Sequence, residues 1–565
     1  MQPVCAKSLQ CYKSIDLYVY MNYNGCTCET DRVKRYIRQT CRLNVYDFTA
    51  LTFFEGDDSM TLKVSTVFDK FFHVLFAAVF AYLTVMVICS VCSFSISGAF
   101  LAIGVLVLSV LVIYILYQKC SDISNKRLYI VFTVLIVAML AIQVVMSFLL
   151  KTAPSMLDCR IINEIAMSYA KNGNMEGINE IATFPNYLVR YPNNNGIAIL
   201  LSFYYRIVYL MLGYVPRMAP VLLNAVFINA AIILLFFTAK KMFNNFFALV
   251  TMIFAFLFIP YYTYCPYFYT DTFSLPFTIL PILLFVTACE SRGTVRKIIA
   301  FLFAGISCAI GYELKGSVAV IVVALIIYVV LNGKLKNFLI GTGSVLMGFL
   351  AVIIAFSGLV SSLNIATEEQ LYEIKYPMTH WIMMGLKDDG KYDSEDSVFT
   401  AHSGNYDEKK AANIKVIKER LSDYGFGGLM EHFDKKLEQT WNDGTYAIAN
   451  YINEPYNRNT LHEFILNDGK HRDVFVAVCS GLHICTLAMI SISAIFCLIK
   501  RNINMTLINI TIFGIFLFLL LWESKPRYLY NFTPFFLMSA AYGLISIVQK
   551  LPKPGYKKYK RLKKE

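Results

Sequence analysis

An all-α polytopic membrane protein is the fold class this sequence predicts, and three observations carry that prediction. Of its 565 residues, 57% are hydrophobic and only 16% are charged, where an ordinary soluble chain is about a quarter charged. Its mean hydropathy is +0.55. Apolar runs of about 20 residues, each enough to cross about 30 Å of hydrocarbon, recur from residue 71 to residue 548.

The runs fall at 71–94, 97–117, 128–150, 197–213, 218–239, 246–263, 272–290, 297–312, 316–333, 338–360, 473–499, 503–522 and 529–548. Lys and Arg in short loops are retained on the cytosolic side, so the basic loops orient the runs. Lys119, Lys126 and Arg127 mark one such turn, Lys240 and Lys241 another, and Arg292, Arg296 and Lys297 a third. Lys334 with Lys336, Lys500 with Arg501, and the tail 550–565 complete the set. All can share one side only if 197–213 does not cross. That run is short and carries Arg206 at its middle. It reads as a helix in the outer interface; a full crossing, with Arg217 inside, is the alternative, so the bundle has about 12–13 spans.

Five domains follow. Residues 1–70 are a polar cytosolic segment with no signal-peptide pattern and no assigned role. Residues 71–360 form a membrane bundle with a first extracytoplasmic loop at 151–217. Residues 361–472 form an extracytoplasmic, mainly helical soluble region, with helices over 405–421 and 428–441 separated by Gly-rich turns. The last three spans occupy 473–548, and 549–565 is a basic cytosolic tail. The net charge of +13 sits largely in loops and tail, as membrane anchors rather than as a nucleic-acid surface. The 15 cysteines suggest no disulfide framework, and Cys26-Thr27-Cys28 lacks the second pair a zinc site needs. No internal repeat is evident, which disfavours a transporter.

Charged groups at the outer ends of spans are the candidates for chemistry, because a charge at the membrane boundary is costly unless solvated or used. The focal stretch is Pro154-Ser155-Met156-Leu157-Asp158-Cys159-Arg160, just past the third run. Asp158 can take a proton or hold a metal, with Arg160 and Glu164 nearby. Tyr267-Phe268-Tyr269-Thr270-Asp271 adds a second outward carboxylate, Asp271, for which helix capping is a sufficient structural role. Tyr312-Glu313-Leu314-Lys315-Gly316 places Glu313 and Lys315 at a kink, where they can pair with each other or Lys315 can hold a phosphate. Trp522-Glu523-Ser524-Lys525-Pro526-Arg527-Tyr528 offers the planar fork of Arg527, suited to bidentate phosphate binding; an interfacial aromatic and basic anchor explains the same residues. Weaker candidates are the turn-rich Arg190–Gly196 segment and His380 in Thr379-His380-Trp381. No phosphate loop, dinucleotide fingerprint or nucleophile elbow is present.

Taken together, Asp158, the Tyr-Thr-Asp turn ending at Asp271, the short-helix pair around Lys315 and the element Glu523–Tyr528 resemble the GT-C superfamily of polytopic glycosyltransferases. The branch is that of bacterial protein O-mannosyltransferases and the aminoarabinose transferase of lipid A. The resemblance covers roughly residues 128–548. It implies a GT-C-like bundle, a polyprenyl-phosphate-linked sugar as donor, and an extracytoplasmic acceptor that is a cell-envelope glycan, lipid or protein. By the same resemblance Asp158 acts as base or orients the acceptor, Asp271 supports the site or a divalent cation, and Lys315, Arg527 and Tyr528 hold the donor phosphate. Arg160, Glu164, Arg190, Glu313, His380 and Glu523 have supporting places. The family often has a second acid beside the first-loop Asp; here Cys159 and Arg160 follow, which leaves metal use open. A flippase of lipid-linked glycans and a non-catalytic polymer-assembly subunit are the alternatives.

Overall fold

The computed structural model describes residues 59–551 except 95, 155, 156, 182, 333 and 334. Expectations for the first 58 residues, for Cys26 and Cys28, and for the tail beyond 551 lie outside the described residues. The described chain is helical, with a single isolated bridge pairing Thr152 with Pro455. The long helices are α1 (Ser59–Phe94), α2 (Ile96–Cys120), α3 (Asn125–Leu149), α4 (Leu157–Asn172), α5 (Asn195–Leu212), α6 (Ala219–Met242), α7 (Asn245–Leu257), α8 (Pro276–Glu290) and α9 (Thr294–Leu314). They continue as α10 (Ala319–Asn332), α11 (Leu335–Ser362), α12 (Tyr406–Trp441), α13 (Arg472–Ile499), α14 (Ile503–Leu521) and α15 (Thr533–Lys550).

Eleven segments among the described residues are long and apolar enough to cross a membrane, and Asn245–Leu257 and Gly316–Leu331 are shorter apolar helices. The expected run 246–263 is thus too long. Its helix stops at Leu257, because Phe258 is extended and Pro260 cannot continue the hydrogen-bonded ladder. The segment Pro192–Leu212, read as interfacial, is long and apolar enough to span. Its Arg206 donates to the carbonyls of Ala170 (2.8 Å) and Lys171 (3.2 Å) at the end of α4, where a cation complements the helix dipole.

Side chains at the loop ends tie the bundle together. Asn245 donates to Asn125 Oδ1 at 3.0 Å, Lys241 pairs with Glu290 at 2.6 Å, and Asn504 donates to the Met242 carbonyl at 2.5 Å. Thr506 donates to Asp69 at 2.7 Å, and Arg501 donates to Ser65 at 2.6 Å. The basic turns at 119–127, 240–241 and 500–501 therefore gather at one end. Helix α6 leads away from that end for about 36 Å at the usual rise. At its far end Asn224 donates to the carbonyls of Tyr264 (3.0 Å), Cys265 (2.9 Å) and Tyr267 (3.1 Å).

Region 361–472 does not stand apart from the bundle. Its long helix α12 breaks where Gly425 takes φ 53, so the two helices expected at 405–421 and 428–441 meet there. The C-terminal half then enters the bundle. Trp441, 1% exposed, packs on Phe80, Phe516 and Phe536 from three different spans, and Tyr446 and Ile452 are buried as well. An indole at the end of an otherwise polar helix gains more from apolar contact than from water, which draws this half inward.

Candidate active site

Three turns at the far end of the bundle carry most of the polar side chains of interest. Pro260 and Pro266 interrupt the helix between α7 and α8, and Asn224 then satisfies the freed carbonyls of that turn. Lys315 is extended (φ −158, ψ 114) between α9 and a short 3₁₀ turn, Gly316–Val318. Trp522 and Lys525 are extended before Pro526 starts the next helical turn. Each break turns side chains toward one cavity of about 2010 Å³. That is larger than the usual few hundred to a thousand Å³ of a small-molecule site. Asp158, Lys315, Lys525, Arg527 and Tyr528 all line it.

Asp271 does not reach the cavity wall. Its carboxylate is fully buried and pairs with the Lys315 ammonium and, at 3.8 Å, with Arg527 Nε. Helix capping therefore does not account for it, and Lys315 pairs with Asp271 rather than with Glu313. Arg527 also donates to the Tyr267 hydroxyl and lies 5.0 Å over the Tyr269 and Tyr451 rings and 5.5 Å over Tyr528. Lys315 lies 4.5 Å over the Tyr528 ring. Such rings stabilise a desolvated cation by their quadrupoles. Glu523 is the second buried carboxylate, 2.8 Å from Lys525 Nζ and accepting from Tyr528 at 3.2 Å. Burial pushes its carboxyl upward, but the Lys525 ammonium and Arg527 guanidinium outweigh that and hold it below its ordinary value. The cluster is thus a triad of cations, two buried acids and a wall of tyrosines.

Asp158 sits in the first turn of α4, half-buried. It receives a hydrogen bond from the Tyr187 hydroxyl at 2.7 Å. Asn194 donates to that same hydroxyl at 2.7 Å, and Tyr269 donates to Asn194 Oδ1 at 3.1 Å. Burial first, and then the negative charge of Asp158, push the Tyr187 phenol well above its ordinary value, so it stays a neutral donor. This chain aims the carboxylate and links it through Tyr269 to the ring that covers Arg527.

The remaining sequence candidates lie elsewhere. Arg160 donates to Glu454 at 3.0 Å and to the Pro154 carbonyl at 3.1 Å, so it does not pair with Asp158. Glu164 accepts from the Thr183 N–H at 2.8 Å and its hydroxyl at 2.6 Å. Neither residue lines the cavity, and neither does Glu313. His380 lines it, but its Nδ1 is 2.8 Å from Thr400 Oγ1 and burial lowers its pKa to about 4, so it is a neutral, packed side chain. No group of three His, Cys, Asp or Glu suited to a metal occurs among the described residues. Asp158 lines the cavity without an ion pair among the described residues, whereas Glu523, which also lines it, is already paired with Lys525.

Residues 58–546 match a family described as conserved hypothetical integral membrane protein. The chain belongs to that family. No curated protein matches this integral membrane protein by sequence. Among solved structures it is similar to the archaeal oligosaccharyltransferase AglB from Archaeoglobus fulgidus, in complex with an inhibitory peptide and a dolichol-phosphate. Identity is 11% and the TM-score 0.38, over 76% of this chain and 51% of that one. The chain thus spans about half the length of the solved structure it matches.

In this family member the sequence motifs missed several residues of the site. Tyr187 and Asn194 sit in helical turns of four and three residues, Tyr187–Arg190 and Pro192–Asn194, too short for periodicity to single them out, although the Asn193-Asn194-Asn195 run marks the turn. Lys436 was hidden in the polar pattern of α12. Its buried ammonium donates to the carbonyls of Gly385 (2.7 Å), Leu520 (2.9 Å) and Trp522 (2.8 Å), and burial lowers its pKa to about 7. With Ser524 N–H donating to the Gly390 carbonyl at 2.7 Å, it fixes the turn that bears Glu523, Lys525 and Arg527. A Cβ at Gly385 would lie 2.8 Å from the Trp522 carbonyl carbon, so only glycine lets the two segments meet.

Proposed function

We propose that this protein is a GT-C-like membrane glycosyltransferase that moves a sugar from a polyprenyl-phosphate donor to a hydroxyl on an extracytoplasmic acceptor. The observation that carries the reading is the shared cavity: a carboxylate, Asp158, which accepts a hydrogen bond from the Tyr187 phenol, faces the same space as Lys315, Lys525 and Arg527. Exposed apolar side chains line it as well, Met378 at 64% and Val398 at 57%, which suits a ligand with a lipid tail. The site lies at the end of the bundle opposite the basic turns, which supports the extracytoplasmic side.

In this mechanism Asp158 accepts the proton of the acceptor hydroxyl as that oxygen forms its bond to the anomeric carbon. The bond from that carbon to the phosphate oxygen breaks, and the lipid phosphate leaves with the electron pair. Lys315, Lys525 and Arg527, held in place before reaction, stabilise the charge that develops on the leaving phosphate. Asp271 acts here as the buried counter-ion that keeps Lys315 and Arg527 charged and in place, and not as a group that touches substrate. A divalent cation, where used, would take Asp158 as its protein ligand; no step depends on it.

Reconstitution in liposomes with a panel of polyprenyl-phosphate sugars tests the reading. Loss of sugar from one donor, with formation of free polyprenyl phosphate, is the expected result. Translocation of a lipid-linked glycan without any new glycosidic bond overturns it.

A further inference from the structure

Among the described residues, each cation lining the cavity has an acid or a backbone carbonyl on it, with one exception. Lys315 and Arg527 share Asp271, and Lys525 has Glu523. Farther out, Lys391 pairs with Asp389 at 2.5 Å and Lys435 with Glu431 at 2.8 Å. Arg472 donates to the Ile465 carbonyl at 2.9 Å. Arg190, which also lines the cavity, has neither an acid nor a carbonyl on its guanidinium among the described residues, and its Nε is buried with no hydrogen-bond partner.

That guanidinium is nevertheless held. It lies 4.8 Å over the Phe184 ring and 5.7 Å over the Tyr376 ring, and the backbone is pinned by the Tyr376 N–H donating to the Arg190 carbonyl at 3.1 Å. Tyr376 is itself fixed by its hydroxyl donating to the Ser397 carbonyl at 2.8 Å. A planar cation between two rings, with donors left over, is preorganised for a planar or tetrahedral anion. Its place relative to the donor cluster follows from contacts. Phe184 meets Tyr187 at 6.3 Å, Tyr187 holds Asp158, and Asn194 with Tyr269 lead on to Arg527. Asp158 therefore stands between two cationic places in that chain.

Resting on the reading above, we propose that Arg190 receives a carboxylate or phosphate group of a substrate, distinct from the donor phosphate, so that an anionic acceptor or an anionic transferred sugar is gripped beside Asp158. The donor phosphate is already served by three cations, and a further half-buried guanidinium whose Nε is unsatisfied gains a counter-ion and hydrogen bonds only when a ligand supplies them.

Two of the three tryptophans, Trp381 and Trp522, line the cavity and stack at 5.6 Å, so intrinsic fluorescence reports occupancy of the full-length protein in nanodiscs. The probes are glucuronate, glycerol 3-phosphate, neutral methyl glucoside and undecaprenyl phosphate. Arg190→Gln should weaken at least one of the two small anions about tenfold or more, as expected for a lost charged hydrogen bond, and leave undecaprenyl phosphate within about twofold. Arg190→Lys, which keeps the charge and the stem, should retain most of the affinity and show that the Gln variant is not merely misfolded. With glucosyl undecaprenyl phosphate already bound, so that the sugar place is filled, additive binding of the anion places it on the acceptor, and mutual exclusion places it on the sugar. The proposal is overturned if neither anion binds wild type better than methyl glucoside, if Arg190→Gln changes nothing, or if it weakens undecaprenyl phosphate equally. Failure of undecaprenyl phosphate to bind wild type, with the anions still dependent on Arg190, removes the donor reading and leaves the anion site standing.

Discussion

Replacing Asp271 by Asn keeps its volume and removes the charge between Lys315 and Arg527. The side chains of Asp271, Lys315 and Arg527 are 0%, 11% and 3% exposed, so water cannot take over the lost role. Breaking a buried pair from one side costs about 3–5 kcal/mol, because the partner charge is left uncompensated. Here two cations are left facing each other, which puts Asp271→Asn toward the upper end of that range. Lys315→Met should cost less, since Asp271 keeps Arg527 at 3.8 Å. The double variant removes one charge of each sign and should fall short of the sum of the singles by about 2 kcal/mol or more, the coupling expected of groups in contact. The assay is unfolding in mixed micelles by SDS titration, read as a double-mutant cycle. Additive costs, or an Asp271→Asn variant as stable as wild type, refute the counter-ion argument.

Three shorter expectations concern the scaffold. Burial holds His380 near a pKa of about 4, below its ordinary 6.5, so the folded state binds fewer protons between those values. Its contribution is complete above pH 6.5 and is lost as pH falls toward 4, by up to about 3 kcal/mol; melting curves at pH 7.5, 5.5 and 4.5 should show the loss, and His380→Asn should flatten it. Asn224→Leu strips three turn carbonyls of their donor, and at about 1–3 kcal/mol for an unsatisfied buried group it should lower thermal stability measurably; an unshifted melt contradicts the tether. Gly385→Ala drives a methyl into the Trp522 backbone, so donor turnover should fall more than tenfold while insertion persists, the cost of moving Lys525 and Arg527 by about 1 Å.

The fold was legible because hydrocarbon imposes one rule, about 20 apolar residues per crossing, and the runs at 71–94 or 473–499 obey it without ambiguity. It became illegible where a proline cut an apolar run, as at Pro260, since composition alone continued the helix to 263. Position was legible for Asp158, Lys315 and Arg527, because charge at the end of an apolar run needs a reason. Pairing was not. Lys315 lies two residues from Glu313 yet reaches Asp271, 44 residues earlier, and Arg160 reaches Glu454, 294 residues later. Such partners depend on how the helices cross, which periodicity does not encode. Tyr187 and Lys436 stayed hidden for a related reason: one sits in a single helical turn too short to show a period, the other on a helix whose pattern looks solvated until the fold buries it.

Asp158→Asn, reconstituted with the donor that wild type consumes, bears most directly on the catalytic claim. Loss of general-base catalysis predicts a fall in transfer of about 100-fold or more, with donor binding and melting temperature unchanged, since the substituted amide still accepts from Tyr187. Transfer at the wild-type rate by that variant contradicts the account and leaves the cavity without its proposed base.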